Sequence, residues 1–65
     1  MRETILKEII PEATPIGGFG GKYQFKDWII CLPCNYVMNK KVNKRLMFHS
    51  DGDLKNILNL IKNDL

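Results

Sequence analysis

The run Trp28-Ile29-Ile30-Cys31-Leu32-Pro33 limits what this chain can become more than any other stretch. It holds the only tryptophan and the longest apolar run, with Cys31 and Cys34 spaced by two residues at its end. β-Branched and aromatic residues suit a pleated, half-buried surface, so Trp28 to Leu32 predicts a buried strand. Pro33 has no N–H to give a ladder and ends it. Cys34 and Asn35 then fall in a turn or in the first turn of a helix.

Size sets the next limit. The chain has 65 residues, enough for one small domain. Domains below roughly 70–80 residues often lean on a metal, a disulfide or a partner subunit. A hydrophobic content of 45% is that of a globular chain and argues against disorder. No apolar run reaches the roughly 18–20 residues of a membrane span, so no membrane partner is expected. Charges at Arg2, Glu3, Lys7 and Glu8 do not read as a signal peptide. Two cysteines make no disulfide framework, and the default location is cytoplasmic, where thiols stay reduced.

Periodicity and breakers outline the elements. Ile5, Leu6, Ile9 and Ile10 form an apolar stripe at helical spacing, and Pro11 closes a short helix over residues 2–10. Residues 11–21 hold Pro11, Pro15 and four glycines and read as a loop or long turn. The glycine run matches neither the Walker A loop nor the dinucleotide fingerprint. Tyr23 and Phe25 share one face of a strand. Residues 35–45 admit two readings. Met38, Val42 and Leu46 repeat at four-residue spacing, which favours a helix capped by Asn35; a hairpin turning at Asn39-Lys40-Lys41 is the alternative. Arg45 to His49 reads as a short last strand. Ser50, with Asp53 three residues on, predicts a helix start, and Leu54, Ile57, Leu58, Ile61 and Leu65 supply its apolar stripe. The expected fold is α+β: a short N-terminal helix, a two- to three-stranded antiparallel sheet and a C-terminal amphipathic helix.

Charge points to a class of partner. The net charge is +3, and Lys40, Lys41, Lys44 and Arg45 fall within six residues while the acids lie towards the two ends. A basic cluster beside Tyr36 suits phosphates and bases, or an acidic protein. The cysteine pair carries three further readings. Zinc would take Cys31 and Cys34 as two ligands and His49, with Asp51 or Asp53, as the others. A redox dithiol would use the Cys-Leu-Pro-Cys spacing, but no βαβ unit precedes it. Two thiols that simply pack are the plainest reading.

Three fragments together resemble the HNH-type nuclease motif, a treble-clef ββα-metal fold. They are Ile9-Ile10-Pro11, Gly17-Gly18, and Trp28-Ile29-Ile30-Cys31-Leu32-Pro33-Cys34-Asn35 followed by Asn39-Lys40. Glu8 stands where that family has its general-base histidine, and Lys7 where it has an aspartate. The resemblance therefore implies a nucleic-acid-facing scaffold whose hydrolytic site is lost. A second likeness, to HicA-type toxins with their double-stranded RNA-binding topology, rests on Gly21-Lys22-Tyr23-Gln24-Phe25 and on Gly52 to Leu58. Lys22 and Tyr23 stand at the place of that family's catalytic histidine.

The sequence is therefore read as a small non-enzymatic nucleic-acid-binding or nucleoprotein accessory factor, with phosphate contacts from Lys40, Lys41, Lys44 and Arg45. The alternative is a protein–protein module: a subunit, inhibitor or dimerising adaptor. A divergent nuclease or a dithiol oxidoreductase ranks third.

Overall fold

Neither apolar stripe could stand as an isolated helix in water, because segments this short are marginal without a packed face. In the computed structural model, which describes residues 2–18 and 20–63, both stripes find that face on one side of a sheet. Helix α1 spans Arg2–Ile9 and helix α2 spans Asp51–Lys62. Leu6 and Ile10 at the end of the first, and Leu54, Leu58 and Ile61 of the second, are buried. Ser50 caps α2 as its spacing predicts: its hydroxyl accepts from the Asp53 N–H at 3.1 Å. Leu65 lies outside the described residues.

Between the helices runs an antiparallel meander of five strands in sequence order: β1 Thr14–Pro15, β2 Lys22–Phe25, β3 Trp28–Cys31, β4 Tyr36–Asn39 and β5 Lys44–Met47. This corrects the expected count of two to three strands. One added strand lies in the Pro/Gly loop, where Thr14 and Pro15 pair with Gln24 and Tyr23. The other comes from residues 35–45, which form a hairpin and not a helix.

Turn chemistry decides that hairpin. The Asn39 side-chain oxygen accepts from the N–H groups of Lys41 and Val42, at 2.9 and 3.2 Å. Asn43 takes a positive φ of 54°, which asparagine tolerates better than most residues. Asn35 does not cap a helix. It too has positive φ, 63°, at the end of the β3–β4 loop. The four-residue spacing of Met38, Val42 and Leu46 is then a coincidence. They sit on one sheet face, in a turn, and on the other sheet face.

Ladder register fixes the two faces. Tyr23, Ile30, Val37 and Leu46 stand side by side across four strands, as do Phe25, Trp28, Asn39 and Lys44. These rows face the helices, and with Leu32 and Phe48 they form most of the core. The opposite face carries Lys22, Cys31, Tyr36 and Met47 in one row, and Gln24, Ile29, Met38 and Arg45 in the other. No described helix covers it.

Arg2 ties the ends together. Its guanidinium donates to the Asn35 side-chain oxygen and to the Leu32 carbonyl, lies 3.5 Å from the Asp51 carboxylate, and sits 5.1 Å from the centre of the Phe48 ring. One cation thus links the start of α1, the cysteine loop and the start of α2.

Candidate nucleic-acid interface

Charge is divided between the layers. Residues 14–49, which make the sheet and its turns, hold Lys22, Lys26, Lys40, Lys41, Lys44 and Arg45 against the single acid Asp27. The remaining segments hold four cations and six acids. No strand carries an acid. The positive charge of the chain is therefore a property of the sheet layer.

The five residues expected to form one cluster separate on folding. Arg45 and Tyr36 come together on the helix-free face, with the guanidinium 4.8 Å from the ring centre. That distance is a cation–π contact. Lys40 and Lys41 lie in the turn beyond, exposed. Lys44 is next to Arg45 in sequence and so points to the other side of the strand. It borders a groove with Leu46 of β5 and Leu60 of α2. Four cations adjacent in sequence thus make two surfaces.

Sequence reading missed the other members of the open face. Lys22, Ile29 and Met38 are half-buried there beside Tyr36, and Met47 is exposed. Strict alternation through 22–25, 28–31, 36–39 and 44–47 would have found them. The face is an apolar strip edged with cations, and such a surface can hold a planar base over Tyr36 or over the Arg45 guanidinium while cations meet phosphate.

The cysteines are joined as a disulfide across the β3–β4 loop, Cys31 buried and Cys34 exposed. Bonded sulfurs are not the thiolates that zinc requires. His49 is exposed, and its backbone N–H donates to the Asp53 carboxylate at 3.2 Å. Among the described residues no group of three or more His, Cys, Asp or Glu is placed to hold a metal. The expected zinc half-site of Cys31, Cys34 and His49 is therefore corrected to a disulfide.

Tyr23 has a shifted acidity. Burial, then its hydrogen bond to Glu3 and the Glu3 charge, push the phenol above its ordinary value. It faces the helices, so its role is to hold α1 to the sheet. No helix among the described residues is long and apolar enough to cross a membrane. Comparison with protein-family models, with curated proteins and with solved structures finds no match for this chain.

Proposed function

We propose that this chain is a small non-enzymatic nucleic-acid-binding factor that lays a single strand across the helix-free face of its sheet. The observation that carries the reading is the Arg45–Tyr36 stack on an acid-free sheet face. Tyr36 and Arg45 offer the stacking surface, with Ile29 and Met38 as its apolar floor. Lys22 on the same face and Lys40 in the hairpin turn serve phosphate contact, while Lys41 lines the groove on the helix side. Lys44 faces away and takes no part. Single strands suit the face better than duplex, because a strip of ring and aliphatic side chains gains most from unstacked bases.

The test is fluorescence anisotropy of a labelled single-stranded oligonucleotide, as DNA and as RNA, with the purified protein. Binding should weaken steeply between about 50 and 200 mM salt, with a slope of two to three phosphate contacts. No binding at the lower salt, or binding indifferent to salt, would remove the proposal.

A further inference from the structure

The two edges of the sheet are built differently. Hydrogen-bonding residues alternate along an antiparallel ladder. On the β1 side, Ile16 N–H donates to the Lys22 carbonyl at 2.9 Å, so the alternation turns Pro15 outward. That edge is two residues long and shows a residue with no N–H, a common way to blunt a sheet. On the β5 side, Phe48 N–H donates to the Asn35 carbonyl at 2.9 Å. The same alternation directs Lys44 and Leu46 inward to β4 and turns the N–H and C=O of Arg45 and Met47 outward. This edge is four residues long and contains no proline.

A groove runs beside it on the helix side. Val42, Leu46 and Leu60 supply its apolar wall, with Val42 64% and Leu60 66% exposed. Lys41 and Lys44 line it, and Asp27 is the single acid there. A second copy of this chain is a poor occupant. Pairing β5 with its own copy would gather both copies of Lys44 and Arg45 along one seam, with no acid on the strand to offset them. Charge complementarity selects an acidic strand instead.

We infer that the outer edge of β5, with the groove beside it, docks an extended acidic segment of a partner protein by strand addition. The register gives the segment's pattern. Running antiparallel to β5, it places successive residues opposite Met47, Leu46, Arg45 and Lys44. Two apolar residues followed by two acids satisfy those four positions. The residue facing Leu46 enters the groove towards Leu60, and the acid facing Lys44 shares that side. The acid facing Arg45 lies on the other. Main-chain bonds to Arg45 and Met47 supply affinity, and side chains supply choice. This surface borders the nucleic-acid face and shares Arg45 with it, but its test uses no nucleic acid.

The probe is the blocked hexapeptide Thr-Val-Ile-Glu-Glu-Thr, added to the full chain labelled for amide exchange and titrated by anisotropy. The expected result is saturable binding that protects the amides of Arg45 and Met47. Replacing both glutamates of the peptide by glutamine should weaken binding about 5-fold, and replacing them by lysine should abolish it. Met47→Pro removes an outward N–H and should abolish binding while the protein still unfolds cooperatively. Should that variant not fold, Lys44→Glu carries the same burden: it should weaken the acidic peptide about 10-fold and admit the lysine version. The inference is overturned by no saturation at about 1 mM peptide, by equal binding of acidic and basic peptides, or by protection of other strands in place of β5. Light scattering that shows the peptide-free chain pairing through β5 would overturn it too.

Discussion

Gly21 is pressed against Pro33. A Cβ on Gly21 would stand 2.8 Å from the proline Cδ, and the glycine already has a φ of +89°. The contact joins the end of the β1–β2 loop to the cysteine loop, and the Gly21 carbonyl accepts the Leu32 N–H at 2.9 Å. Gly21→Ala therefore suffers twice, from a left-handed backbone and from overlap with a rigid ring. Together these cost about 2–4 kcal/mol. That is most of the roughly 3–5 kcal/mol a core of this size supplies. Gly20→Ala meets no heavy atom within 4 Å and serves as the control. Urea denaturation should show Gly21→Ala largely unfolded in buffer and Gly20→Ala near wild type. Equal midpoints for the two would show that the loop does not pack as described.

Tyr23 gives the protein an alkaline limit. Its hydroxyl donates to the Glu3 carboxylate at 3.1 Å, and its acidity is weakened by burial first and by Glu3 second. A folded pKa above the unfolded one means that this stability is fully present below the unfolded value near 10. It is lost as pH rises through the folded value. Tyr23→Phe should cost about 1 kcal/mol at neutral pH, the worth of a hydrogen bond whose acceptor is solvated. The gap between the two proteins should close above pH 10, because only wild type then gains by unfolding. Chemical denaturation at pH 7 and pH 11 measures it. A gap of the same size at both would exclude the phenol as the cause.

The loop that Cys31 and Cys34 close is short, so the disulfide restricts few unfolded conformations. Loop-closure entropy for a ring of this size is worth about 2 kcal/mol. For a domain of this length that is roughly 8–15 °C in melting temperature. Thermal unfolding with and without a phosphine reductant should differ by this amount and remain cooperative. After reduction, limiting iodoacetamide should label Cys34 first, since Cys31 is only 3% exposed. Finding both sulfurs free in air-oxidised native protein would remove the bond from the structure, and first labelling at Cys31 would contradict the packing of the loop.

What the sequence made legible follows from where one signal acted alone. The helix stripes were plain because Leu6 and Ile10, and Leu54, Leu58 and Ile61, meet one period and one set of caps. The strand from Trp28 was plain because its apolar run ended at a proline. Residues 36–47 carried two periods at once. Met38, Val42 and Leu46 satisfied a helix, while Tyr36 to Asn39 and Lys44 to Met47 alternated about a turn. The decision lay in Asn39 and Asn43, whose side-chain cap and positive φ are tertiary outcomes as much as local ones. Strand β1 was hidden because two residues, one a proline, carry almost no periodic signal. The same error blurred the candidate site. On a helix the four cations would share broad flanks of one surface. On a strand, neighbours oppose, and the cluster divides between Arg45 and Lys44.

That division gives the sharpest test of the nucleic-acid reading. Arg45 lies over Tyr36 on the open face, while Lys44 points to the groove beside α2. Both substitutions remove one unit of charge, so a diffuse electrostatic effect would weaken both alike. The stacked geometry predicts otherwise. Arg45→Ala removes a phosphate or stacking contact as well and should weaken single-strand binding about 5- to 30-fold, lowering the salt slope by about one. Tyr36→Ala should fall in the same range, although the tyrosine is neutral. Lys44→Ala should cost less than about 3-fold, the screened effect of a charge on the far side of a strand. Anisotropy titrations of the three variants at two salt concentrations decide it. If Lys44→Ala matches Arg45→Ala while Tyr36→Ala binds as wild type, the nucleic acid follows charge around the hairpin and does not use the sheet face.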